Sequence, residues 1–220
     1  MLSAHGVSSK PFHLGPGFRR DERIKQMRVL RAADRVATPW KNGGGVTREV
    51  AVFPPGADLH AFEWRISLAQ IDADGPFSTF PGIDRVLTVI QGAGLMMTVD
   101  ERLLALDAAS PPLEFSGEAL VTARLTDGSI SDLNVMVRRD KWRARTRRLT
   151  VTGSSEVAAR AQVTLVLALD PLRILRPGGA IDLLPLDAVL LENGHSHLSL
   201  EGRGRTLVCE ISIDPEHFLK

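Results

Sequence analysis

Apolar and polar residues alternate with a period of two along most of the chain after Trp40, and sustained helical periodicity is nearly absent. In Phe62–Ile71, Phe62, Trp64, Ile66 and Leu68 share one face while Glu63, Arg65 and Ser67 share the other. Arg85–Gln91, Leu95–Val99, Leu120–Leu125 and Leu133–Val137 continue this pattern, and a second set follows at Arg147–Thr152, Gln162–Leu169, Ile181–Leu191 and Arg205–Ile213. Turn signals such as Pro54-Pro55-Gly56, Asp74-Gly75-Pro76, Gly92-Ala93-Gly94, Asp127-Gly128 and Asn193-Gly194 separate them. Many short strands with closely spaced turns predict an all-β fold, either a sandwich or a closed barrel.

Arg85–Val99 and Val189–Ile213 repeat a strand–turn–strand outline, which predicts two related β-modules joined near residues 138–160. We therefore expect an N-terminal extension without fixed structure over 1–26, a first module over 27–140 and a second over 141–220. Short helices are expected at Phe18–Arg31 and Ser154–Ala161.

Composition narrows the function classes. The 220 residues carry 27 Lys+Arg against 26 Asp+Glu, a net charge of +1, so no global field steers the chain to nucleic acid or membrane. No window approaches the ~18 uninterrupted apolar residues of a membrane span. Cys209 is the single cysteine, so no disulfide forms within the chain; residues 1–26 lack the apolar core of a signal peptide, and a cytoplasmic protein is expected. Cys209 shares a strand face with Leu207 and Ile211, which predicts a buried, inert thiol rather than a nucleophile.

Trp40-Lys41-Asn42-Gly43-Gly44-Gly45 is the most unusual stretch. It is not a phosphate loop, because the lysine precedes the glycines and a strand, not a helix, follows. The glycines fit a close backbone crossing, and Lys41 and Asn42 fit an anion-binding rim; both readings stand. Arg65 and Ser67 oppose the Trp64 face, so they either meet solvent or line a barrel cavity. Arg85 either pairs locally with Asp84 or joins Arg65 and Lys41 at one mouth, where converging cations without acidic neighbours would call for a bound carboxylate. Asn134 stands mid-strand in Asp132-Leu133-Asn134-Val135-Met136 and needs hydrogen-bond partners if it faces inward.

Two further features have bland readings. His195-Ser196-His197 with Glu201 has metal-ligand spacing, yet it follows the Asn193-Gly194 turn, where solvated histidines are the ordinary outcome. Arg138–Arg148 (RRDKWRARTRR) has a net charge of +6 over eleven residues, a nucleic-acid cue that no second basic stripe supports.

Trp40–Glu49, Trp64–Ala69, Asp74–Ser78, Pro81–Arg85 and Asp132–Met136 together resemble the HutD/Ves family in order and spacing, over about residues 27–215. The resemblance implies a cupin-type double β-barrel, a bicupin, and a link to histidine utilisation through binding of N-formyl-L-glutamate or a related small carboxylate. The pocket it implies takes in Lys41, Asn42, Arg65, Ser67, Phe77, Ser78, Arg85 and Asn134. Where metal-dependent cupins supply histidines, this chain has Phe77, Ser78 and Phe80, so no metal and no other cofactor are expected. The expected activity is ligand binding and regulation without catalytic residues. The alternative is a metal-dependent isomerase or hydrolase using His195, His197 and Glu201. No membrane or nucleic-acid partner is expected, and a homodimer through edge strands is compatible with the reading.

Overall fold

The computed structural model describes residues 27–176, 178–192 and 196–215. Three antiparallel sheets carry almost all of the regular structure. The first runs, in spatial order, through β2 (Ala37–Pro39), β3 (Gly45–Phe53), β4 (Trp64–Ile71), β11 (Ile130–Arg138), β6 (Ile83–Gln91) and β9 (Leu113–Ser116). Facing it is a four-stranded sheet of β5 (Gly75–Pro76), β10 (Val121–Leu125), β7 (Leu95–Val99) and β8 (Arg102–Leu106), again in spatial order. Leu87 and Val89 from the first sheet pack against Leu95, Met97 and Val121 from the second, closing the first barrel around a common interior.

The second barrel is one seven-stranded sheet curled on itself. Its strands are β1 (Met27–Leu30), β16 (Ala188–Glu192), β13 (Val163–Ala168), β17 (Ser196–Ile213), β14 (Leu172–Arg176) and β15 (Gly179–Leu183), with β12 (Trp142–Ala159) alongside β17. The curl follows from the length of β17: Thr206–Ile211 pair with β13, while Ser199–Gly202 pair with β14. Val151, Val166, Leu172, Ile174, Val189, Leu200 and Val208 fill its interior.

Strand parity explains how the barrels join. The Trp64, Ile66 and Leu68 face of β4, with Leu133 and Val135 of β11, packs on Leu165, Leu167, Leu207 and Ile211 of the second barrel. Each such side chain stabilises the fold by roughly 1.5–3 kcal/mol on full burial. Because this face belongs to the inter-barrel core, the opposite face, which carries Arg65, Ser67, Asp132 and Asn134, turns into the first barrel.

Three expectations are corrected. Met27–Leu30, expected as the end of a helix, is a strand paired antiparallel with β16, Met27 opposite Leu191 and Leu30 opposite Ala188. Ser154–Ala159, expected as helical, completes the 18-residue strand β12, because it pairs continuously with β17 from Ser154 opposite Glu201 to Ala159 opposite Ser196. Ile181–Leu191, expected as one strand, is two, β15 and β16, separated by a turn that includes Leu186 at φ 68°. The part of the expected helix before Met27 and the extension over 1–26 lie outside the described residues. Since β1 joins the sheet built by residues 142–213, the described chain starts in the second barrel before it builds the first.

Candidate functional site

The register of the first sheet sets one row of polar side chains inside the first barrel. Met136 of β11 stands opposite Arg65 on β4 and opposite Arg85 on β6. The two arginines are therefore two strand spacings apart, roughly 10 Å between backbones, on the same face. One step along, Asn134 lies between Ser67 and Leu87, and one further, Asp132 lies between Ala69 and Val89.

Arg85 is 4% exposed. Its guanidinium carbon lies 4.9 Å from the Phe115 ring centre and 5.5 Å from those of Phe77 and Phe80, and Nη1 donates to the Ser78 carbonyl at 3.2 Å. Nε has no acceptor. Three ring faces stabilise the cation in place of water, yet burial still lowers its pKa to about 10, with Asp132 opposing the shift. Asp132 is 1% exposed, and burial pushes its carboxyl up to about 7, against the pull of Arg85. Oδ1 of Asp132 and Oδ1 of Asn134 are buried without partners. Buried polar atoms are nearly always hydrogen-bonded, so three unpartnered ones on a single inward face single this row out as the candidate site.

Arg65 is the more accessible arginine. Nη1 donates to Ser67 Oγ at 3.2 Å, and Nε pairs with Glu49 Oε2 at 3.0 Å. Glu49 reaches it because Glu49 and Ser67 are register partners, just before the β-bulge between Glu49 and Ala51. Both side chains line a cavity of about 460 Å³ that also touches Leu30, Arg31, Arg35 and Thr47.

These facts revise the charge argument. Arg65 and Arg85 do share a face, but each has an acidic neighbour from the protein itself, Glu49 and Asp132. Asp84 does not pair with Arg85; it lies on the other face of β6 and binds Arg139 at 2.6 Å. Lys41 does not reach the arginines: its loop precedes Gly45, which pairs with Ile71, six residues along β4 from Arg65 and roughly 20 Å away at the rise of a strand. Asn42 is occupied locally, its Oδ1 accepting from the Gly44 N–H at 3.1 Å. Gly45 is required by close approach, since a Cβ there would stand 2.3 Å from the Gln70 carbonyl oxygen.

Phe77 contributes a ring face to Arg85, whereas Ser78 contributes its backbone carbonyl, its side chain remaining exposed. Sequence reading missed Glu49, Asp132, Phe80 and Phe115 as site residues. Asp132 carried a usable signal, because it shares the parity of Asn134; Phe115 carried none, because its place beside Arg85 depends on the pairing of β6 with β9.

The rival features disperse. His195 lies outside the described residues, and His197 and Glu201 are four residues apart on β17, roughly 13 Å, too far to share one ion. Glu201 accepts instead from Arg173 at 3.3 Å. Within Arg138–Arg148, Arg138 binds the carbonyls of His60 and Phe62, Lys141 pairs with Glu63, Arg143 with Asp214, and Arg148 binds the carbonyls of Val89 and Ser110. Cys209 is fully buried, and burial pushes its thiol up to about 12.

Comparison with known proteins agrees with this architecture. A solved cupin 2 conserved barrel domain protein from Leptotrichia buccalis superposes with a TM-score of 0.52 at 11% identity, covering 77% of this chain and 89% of that one, which shows a shared fold. HutD from Pseudomonas fluorescens SBW25, solved in a formate condition, superposes with a TM-score of 0.73 at 35% identity, covering 86% of this chain and 99% of that one. An uncharacterized 21.2 kDa protein in the hutC 3' region of Pseudomonas putida is 36% identical over 194 residues, 86% of this chain and 98% of its own. The HutD family model matches residues 32–208, and the chain belongs to the HutD family.

Proposed function

We propose that this protein is a metal-free bicupin that binds a small carboxylate of the N-formyl-L-glutamate kind inside its first barrel, as a regulator or sensor in histidine utilisation. The observation that carries the reading is the set of unpartnered buried atoms on one face: Arg85 Nε, Asp132 Oδ1 and Asn134 Oδ1. One donor and two acceptors suit a molecule with both a carboxylate and an N–H. An N-formylated amino acid has both, its carboxylate to Arg85 or Arg65 and its formamide N–H to Asn134 or Asp132. The inward face has two acids, Asp132 and Glu49, each beside an arginine, and among the described residues no histidine or cysteine joins them, a donor set that favours an organic acid over a transition metal.

The link to histidine utilisation is supported by the hutC-region name of the P. putida relative and the HutD name of the P. fluorescens protein. A single, buried thiol suits a cytoplasmic setting. Calorimetric titration with N-formyl-L-glutamate tests the reading. Saturable binding that Arg65→Ala and Arg85→Met each weaken by at least about tenfold is expected, since hydrogen bonds to charged groups are worth about 1.5–3 kcal/mol. No heat in the wild type, or unchanged affinity in both variants, would overturn it.

A further inference from the structure

We infer that Glu49 is a resident stand-in for the ligand's carboxylate, and that this carboxylate docks on Arg65 in the cleft the two side chains line; this rests on the carboxylate-binding reading above. Arg65 is held at one end: its side chain is 14% exposed and Ser67 Oγ accepts from Nη1. Glu49 is 42% exposed and touches Arg65 through Nε alone, while Nη2 has no acceptor among the described residues. Nε and Nη2 form the side of a guanidinium that a carboxylate grips with two parallel hydrogen bonds. The resident contact uses half of that fork, and an incoming carboxylate can use all of it. The exchange is easy on the protein's side, because the half-exposed Glu49 turns into water when released.

The cleft is shaped for such an exchange. Three guanidinium-bearing residues, Arg31, Arg35 and Arg65, share its lining with two carboxylates, Asp34 and Glu49, around about 460 Å³. Its outer wall is braced by the second barrel: the Ala32 N–H donates to Asp187 at 2.7 Å, and Arg35 Nη1 donates to the Leu186 carbonyl at 2.7 Å. The ligand class that follows is a small acid with a sterically free carboxylate. Glu49 selects against weaker acceptors, such as amides and alcohols, which cannot displace it from Arg65.

The test is titration of N-formyl-L-glutamate into the wild type, Glu49→Gln and Arg65→Ala, each first checked by thermal unfolding. Removing a half-exposed competing charge should tighten binding about threefold to fivefold, by the scale of exposed ion pairs, while Arg65→Ala loses binding. If Glu49→Gln does not fold, Glu49→Ala answers the same question. Unchanged or weaker binding in the Glu49 variants, with binding still dependent on Arg65, overturns the stand-in role and leaves the carboxylate reading intact. No binding to any of these proteins, wild type included, overturns both.

Discussion

The two barrels are built differently, one from two facing sheets and the other from a single curled sheet, and their interiors are opposite in character. In the second, Val151, Val166, Ile174, Val189, Leu200 and Val208 meet in an apolar core. The buried polar side chains that share the strand faces of Val166 and Val208, Thr164 and Thr206, carry hydroxyls and no charge. In the first, Leu87, Val89, Met97 and Val121 supply apolar surface, while Arg85, Ser67, Asn134 and Asp132 stand on the same inward face, Asn134 opposite Leu87 and Asp132 opposite Val89. The second interior shows a largely apolar way of filling a barrel of this chain. Burying a charge costs several kcal/mol even after relaxation, so the polar row of the first barrel is the place where the fold departs from its most stable packing. Sites with that character are where function concentrates.

The sharpest way to break the contrast is Arg85→Met. It leaves Asp132 buried without its cation and empties the ring cage of Phe77, Phe80 and Phe115, so a loss of about 3–5 kcal/mol in urea unfolding is expected. Adding Asp132→Asn should recover part of it; no recovery would show that Arg85 and Asp132 are not coupled. In the second barrel, Leu200→Ala should lower stability by about 2–5 kcal/mol through cavity formation and leave the affinity for N-formyl-L-glutamate unchanged. A change in affinity there would show that the apolar barrel also takes part in binding.

A pH series sharpens the comparison further. The Asp132 carboxyl titrates near its ordinary value of 3.8 when unfolded and at about 7 when folded. The folded state therefore holds the proton longer, and this group's stabilising contribution is complete below about pH 4 and is lost as pH rises towards 7. The slope between is at most about 1.4 kcal/mol per pH unit. Asp132→Asn should remove that descent from urea-derived stabilities at about pH 5, 6 and 7, and an identical profile in wild type and variant would rule it out. The smallest effect concerns the core between the barrels. Cys209 is buried there with its thiol pushed up to about 12, so its reaction with an aromatic disulfide reagent should be negligible in native protein and complete in denaturant; prompt native labelling would mean that the barrels part readily.

Much of the first half was legible because strand parity is a local property. The alternation in Phe62–Ile71 separates the Trp64 face from the Arg65 face with no knowledge of the partner strand, and the same holds for Leu133 and Val135 against Asn134. Ser154–Ala159 misleads because Gly-Ser-Ser-Glu-Val-Ala-Ala has weak strand propensity by itself, and its pairing with β17 overrides that preference. Lys41 looks like a partner of the arginines because it is close in motif order, whereas distance along β4 separates them.

By itself, the sequence determined the all-β class, the two faces of each central strand and the burial of Cys209, since each depends on alternation and turn chemistry within a few residues. Only the tertiary structure decided which face of β4 would turn into a barrel, that Glu49 and Asp132 would answer Arg65 and Arg85, and that β1 would brace the far module. Those outcomes depend on which strands lie side by side, and pairing between residues distant in the chain is set by the packing of whole sheets rather than by any one segment.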